Sequence, residues 1–239
     1  MSGGAPLWVC DWGCRDYEEI RNLQERLVAA RRAELIPDVL LLGSHPPVVT
    51  AGRATCAAER ELARPALAAA GIPLREAERG GRLTYHGPGQ LIGYPLLRLE
   101  GPERDLHAYQ HRLEGVLIAA LTGLGVAAER REGFPGVWVG GAKLASLGIA
   151  VRGWVTWHGF ALNLGGDLTP FGLFDPCGIT GVRVTSLAQL GYPEHDRAQL
   201  LRRVVAVFQE VFGRTGVIRR IEDLESRPGQ GTFPDLACQ

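Results

Sequence analysis

The chain has 239 residues, 46% hydrophobic and 22% charged, enough for one sizeable core and unlike a disordered, collagen-like or coiled-coil sequence. Lys+Arg and Asp+Glu are both 26, so a globally basic nucleic-acid binder is disfavoured. The opening MSGGAPLWVCDWGCRDYEE has no basic segment followed by an apolar one, and no apolar run approaches the roughly 18 residues of a membrane span, which gives a soluble, cytoplasmic expectation.

Asp16 can cap a first helix with Glu19 completing a D-x-x-E box, and Ile20, Leu23, Leu27 and Ala30 recur on one face up to Pro37. Two strand-like runs follow, 38–42 and 48–50, split by the turn GSHPP, then a second helix over 59–70 stopped by Gly71. Residues 73–99 read as strands joined by glycine turns. A third helix, about 105–124, carries Leu106, Tyr109, Leu113, Val116, Leu117, Ala120 and Leu121 at helical spacing, with a stop at Gly125. His107 and His111 stand four apart on it. Residue 108 is Ala rather than Glu, so the zinc-protease pattern fails and solvent-facing histidines are expected. Residues 126–164 read as strands, and GGDLTPFGLFDPCGITG as an irregular segment. Asp196 and Gln199 suggest a cap for a last helix to Phe212, with Leu201, Val204, Val205, Phe208 and Val211 facing inward and Gly213 ending it; the tail from Arg227 is expected to be weakly ordered. The sum is one mixed α/β domain over 1–239.

Of the 26 basic residues, Lys143 is the single lysine. In an unbroken strand it shares parity with Ala145, Leu147, Ile149 and Val151, an otherwise apolar face, and desolvation moves an amine toward general-base competence. Among five cysteines, Cys10 and Cys14 lack the further ligands of a zinc site and read as packing thiols, like Cys56. Cys177 sits in a Pro-Cys-Gly turn, where loop backbone can present the thiol and N–H donors to a carbonyl; a buried structural cysteine is the alternative. The segment RGGRLTYHGPGQLIGYP crowds Arg79, Arg82, Thr84, Tyr85, His86 and Gln90 among glycines, either a ligand-contacting surface or two glycine-rich hairpin turns.

LLGSHPPVVTAGR, RGGRLTYHGPGQLIGYP, GVWVGGAKLASLGIAV, WVTWHGFALNL and DPCGITGVRVTSL, in that order, closely resemble the lipoyl(octanoyl) transferases over roughly residues 38–190. The resemblance implies the α/β architecture (α+β type, a single mixed-sheet domain) of biotin and lipoate protein ligases, with Cys177 as acyl-thioester nucleophile and Lys143 as the lysine that lowers its pKa. Substrate-contacting segments would be Arg79, Gly80, Gly81, Arg82, Leu83, Thr84, Tyr85 and His86; Ser146, Leu147 and Gly148; and Gly159, Phe160 and Ala161. Ser44 before HPP, where an acidic residue is expected, and Leu144 and Leu147 in place of isoleucines depart from the pattern without removing a reacting group. The implied donor is octanoyl-acyl carrier protein. The implied acceptors are lipoyl domains of 2-oxoacid dehydrogenase complexes and the glycine cleavage H protein, with no metal, nucleotide, nucleic acid or membrane involved. Arg53, Arg79, Arg82, Arg152 and Arg183 are expected to form a basic rim that docks acidic partners. Rival readings are an ATP-dependent lipoate or biotin ligase, which would want a lysine-rich nucleotide site, a non-catalytic acyl- or carrier-binding protein, and a cysteine hydrolase pairing Cys177 with His86 or His158.

Overall fold

A computed structural model describes residues 4–175, 181–192 and 197–226. Its main sheet has eight strands in the order β11-β1-β2-β6-β10-β9-β8-β7: β1 (Ala5–Cys14), β2 (Asp38–Ser44), β6 (Gln90–Leu96), β7 (Glu129–Arg131), β8 (Phe134–Val139), β9 (Ala142–Arg152), β10 (Val155–Asn163) and β11 (Arg214–Ile218). β1 lies parallel to both β2 and β11, and every other neighbouring pair from β2 to β7 is antiparallel. A second sheet, β4-β3-β5, is built from β3 (Val48–Ala51), β4 (Leu74–Glu76) and β5 (Leu83–His86). The mixed α/β fold read from the sequence is the fold observed.

Strand alternation sorts the core into two layers. Leu7, Val9, Leu40 and Leu42 face α3 (Leu106–Thr122) and α4 (Arg197–Phe212), packing with Leu113, Leu117, Val204 and Phe208. Trp8, Cys10, Trp12, Val39 and Leu41 face the other way, onto Ile20, Leu23 and Leu27 of α1 (Tyr17–Arg32) and onto α5 (Ile221–Glu225). The small sheet has its own core with Ala63 and Leu67 of α2 (Ala57–Ala69) and with Phe171. Cys10 is fully buried in the α1 layer of the main sheet as a packing thiol, and burial pushes its pKa up to about 12; Cys14 and Cys56 are exposed.

Several local expectations need correction. β1, β11 and α5 were not anticipated. Asp16 caps α1 through the N–H groups of Glu18 and Glu19, but Glu19 bonds Arg15 instead of closing a capping box. Leu106 is 39% exposed, outside the apolar stripe of α3. His107 and His111 are exposed, as their spacing on a surface helix suggested. In α4 the fully buried positions are Leu200, Val204 and Phe208, with Leu201 and Val211 only partly covered; Asp196 lies outside the described residues, as does the tail from Arg227. No helix among the described residues is long and apolar enough to cross a membrane.

Candidate active site

Lys143 is the second residue of β9 and is 4% exposed. Its backbone is held on both sides by residues 183–185, which follow Pro-Cys-Gly in the sequence: Lys143 N–H donates to Arg183 O (2.8 Å), and Thr185 N–H donates to Lys143 O (3.0 Å). Nζ stands 5.4 Å from the centre of the Trp138 ring, within cation–π range. Gly136 provides the seat. Its φ is 135°, and a Cβ there would come within 2.6 Å of Lys143 Cε and 2.5 Å of Ala145 O, so no other residue fits without displacing the amine. Cys177 lies outside the described residues.

Three residues past Lys143, β9 becomes the wall of a cleft with about 480 Å³ of empty space, its mouth included. Ser146, Leu147 and Gly148 line it together with Gly159, Phe160 and Ala161 from β10, which pair with them strand to strand, and with Arg79, Gly81, Arg82, Leu83, Thr84 and His86. Twelve of the fourteen expected substrate-contacting residues thus surround one cavity. Tyr85 turns away to pack edge-on against Phe171, and Gly80 spends its N–H on Ile149 O. Gly148 permits this crossing, since a Cβ there would meet Arg79 Cδ at 2.9 Å and Gly80 O at 3.1 Å.

Arg79 is 7% exposed, so it belongs to the cleft wall and not to a basic rim. Its Nη2 donates to Thr50 O and Oγ1, both at 2.7 Å, and its Nη1 to Gly80 O at 3.0 Å. Arg53, Arg82, Arg152 and Arg183 are exposed; Arg82 pairs with Glu59 and Arg152 with Glu25.

Sequence reasoning missed the side chains that close the inner end: Tyr17, His45, Thr50, Glu78 and Tyr94. Tyr17 and Tyr94 line the cavity beside His86 and His158. His45 donates from Nδ1 to Arg15 O (2.8 Å), which leaves Nε2 to accept from Tyr94 Oη (2.9 Å) and fixes the neutral tautomer. Burial lowers the His45 pKa to about 4 and also lowers those of His86 and His158, while it raises those of Tyr17 and Tyr94. The His158 imidazole and the Arg21 guanidinium hold the Glu78 carboxyl far below the usual range. His158 has φ 53°, a left-handed conformation that costs a non-glycine residue about 1–3 kcal/mol, and its N–H donates to Gln24 Oε1 (2.8 Å). Gln24 was the available signal, a polar residue at a buried position of the α1 stripe.

A buried polar chain ties the two ends together. Asn163 Nδ2 donates to Thr185 O (2.9 Å), and Gln90 Nε2 donates to Asn163 Oδ1 (2.9 Å) and Tyr85 O (3.2 Å). Lys143, residues 183–185 and the glycine-rich segment are thereby fixed in one frame; that segment forms no hairpin, since β5 pairs with β3 in the small sheet while β6 joins the main sheet.

A buried amine beside an apolar cleft, on a mixed sheet, suits acyl-group chemistry, and the comparisons agree. Residues 16–209 match the lipoyl protein ligase A/B catalytic domain, and the chain belongs to that family. An octanoyltransferase of Geobacter metallireducens is 46% identical over 188 residues, 78% of this chain and 85% of that protein. One of Gloeobacter violaceus is 50% identical over 191 residues, 80% and 83% of the two chains. Within the family the chain is therefore of the octanoyltransferase type, an acyltransferase. The fold is shared with the crystal structure of lipoate-protein ligase A bound with ATP, at TM-score 0.77 and 17% identity over 95% of this chain and 93% of that one. It is shared more distantly with biotin protein ligase from Aquifex aeolicus, at TM-score 0.52 and 16% identity over 87% and 70%.

Proposed function

We propose that the protein moves an octanoyl group from octanoyl-acyl carrier protein to a lysine of lipoyl domains, those of 2-oxoacid dehydrogenase complexes and the glycine cleavage H protein, as the first step of endogenous protein lipoylation. It works in the cytoplasm as a single catalytic domain. Cys177 thiolate, paired with the Lys143 ammonium, attacks the thioester carbonyl; the ammonium passes its proton to the departing carrier sulfur, which leaves as the thiol, and the octanoyl group stays on Cys177 beside a now neutral Lys143. The acceptor amine then attacks that second thioester, Cys177 leaves, and neutral Lys143 accepts the proton released as the amide forms. The thioester is already activated, so neither nucleotide nor metal enters the balance.

The observation that carries this reading is the setting of Lys143. The only lysine of the chain is buried on a glycine seat, held by residues 183–185, six to eight positions after Cys177, on the strand that goes on to wall the cleft. An ATP-dependent ligase of the same fold is the rival reading, and dependence on nucleotide separates the two. Incubation with octanoyl-acyl carrier protein without ATP is expected to add one octanoyl mass at Cys177, located by peptide mapping. Cys177→Ser is expected to lose transfer by at least about a thousandfold, because an unactivated hydroxyl is a far weaker nucleophile. An adduct at Cys10 or Cys56, or an absolute ATP requirement, overturns the reading.

A further inference from the structure

Tyr17 Oη, His86 Nδ1 and His158 Nε2 are buried without a hydrogen-bond partner in the protein. Their residues are 3%, 6% and 2% exposed, and all three line the same cleft. The neighbours that would satisfy them are engaged elsewhere. Thr50 Oγ1 meets the other nitrogen of His86 at 3.3 Å, and Gln90 donates to Tyr85 O and Asn163 Oδ1. His158 Nε2 stands 3.5 Å from Glu78 Oε2, beyond an ordinary hydrogen bond. The cleft also offers hydrocarbon, from Leu83, Leu147, Phe160 and Ala161, beside polar groups such as Thr84 and Ser146.

The two kinds of wall occupy different depths. Gly148 pairs with Gly159, and Ile149 with His158, so the imidazole stands level with a position six residues along β9 from Lys143, roughly 20 Å at strand spacing. The wall itself is shorter: from Ser146, where β9 enters the cleft, to the position opposite His158 is three residues, roughly 10 Å at strand spacing, about the length of an extended eight-carbon chain. A methylene pushed farther meets donors and acceptors it cannot satisfy, and a buried polar group left without a partner discriminates more strongly than a lost apolar contact.

We propose that Tyr17, His86 and His158 form a polar stop that sets the length of the acyl chain, making them specificity-determining residues of the transfer reaction. The inference rests on the octanoyl-transfer reading and adds to it a reason for ending the chain at eight carbons. Burial works against protonation of both imidazoles, which suits a wall against hydrocarbon.

The test compares octanoyl- and decanoyl-acyl carrier protein as donors for the wild type, Tyr17→Phe and His86→Leu, with thermal unfolding as a check on folding. Tyr17→Phe removes one oxygen and keeps the ring, so it retains the packing. The decanoyl-to-octanoyl ratio of kcat/KM is expected to rise about tenfold in Tyr17→Phe, and further in His86→Leu. Calorimetric titration with free octanoate and decanoate is expected to show the same shift without any transfer step. A ratio unchanged in Tyr17→Phe, with both donors slowed alike, makes the oxygen merely structural and overturns the inference. If the wild type transfers no acyl group at all, the octanoyl-transfer reading falls, and the titration alone decides the stop: a gain for decanoate on Tyr17→Phe upholds it and no gain overturns it.

Discussion

The Lys143 end of β9 and the inner end of the neighbouring cleft are buried alike and furnished differently. At one end Lys143 is inserted into the sheet on Gly136, over an aromatic ring and tied by its backbone to residues 183–185. At the other, three histidines and two tyrosines crowd together, and burial works against charge on each of them. Burial therefore encloses a single amine at one end and gathers histidines and tyrosines at the other, where it works against charge. A glycine makes room for the long side chain at each end, Gly136 for Lys143 and Gly148 for Arg79.

The sharpest way to break this contrast is at Lys143. Lys143→Ala is expected to slow both half-reactions by about 100-fold or more, the range of a lost general acid–base group. Lys143→Arg keeps a positive charge and removes the ability to accept a proton. It is expected to form acyl-Cys177 and pass it on poorly, so that intact mass shows the adduct accumulating until lipoyl domain is added and persisting afterwards. Normal transfer by the Arg variant would leave only the charge as Lys143's contribution.

A smaller effect separates the two glycines. Gly136→Ala and Gly148→Ala each add one methyl group, against Lys143 Cε in the first and Arg79 Cδ in the second. Displacing a reacting group by about 1 Å can cost up to about 100-fold, so Gly136→Ala is expected to lower kcat with KM little changed. Gly148→Ala should raise KM for the acyl donor by about tenfold while sparing turnover, as expected for a lost binding contact. If both variants change the same constant, the division of the cleft into a chemical end and a binding end is wrong.

The smallest effect is on stability. His45 is held at a pKa of about 4 in the fold, against about 6.5 in the unfolded chain, so the unfolded state binds the extra proton between those values. Stability is then complete above pH 6.5 and falls as pH drops toward 4, by at most ~3 kcal/mol for this group. Denaturant unfolding from pH 8 to 4 should show the decline, and His45→Gln should flatten it. An unchanged slope in the variant would place the acid sensitivity elsewhere.

Helical periodicity made α1, α3 and α4 legible in the sequence, because each has one apolar face. β1 escaped because it is an interior strand: Leu7 and Val9 enter one core layer, Trp8, Cys10 and Trp12 the other, and no alternation survives to be read. β11 is short and mostly exposed, and α5 spans only five residues. In the candidate site, Lys143 stood out as the only lysine and the glycine-rich segment by its density, while the resemblance supplied the rest of the lining. Tyr17, His45, Thr50, Glu78 and Tyr94 stand far apart along the chain, with no shared spacing, and only tertiary packing gathers them around His86.

β1 also constrains how the chain reaches this structure. It is zipped on one side to β2, which follows it after the α1 crossover, and on the other to β11, with Ala5 opposite Arg214 some 210 residues later. During folding, one rim of this apolar strand offers unpaired amides and carbonyls until the distant partner arrives, an invitation to intermolecular strand pairing. Pairing with β11 thus moves the open edge of the sheet from an apolar strand to one that is short and mostly exposed, a less inviting template for self-association.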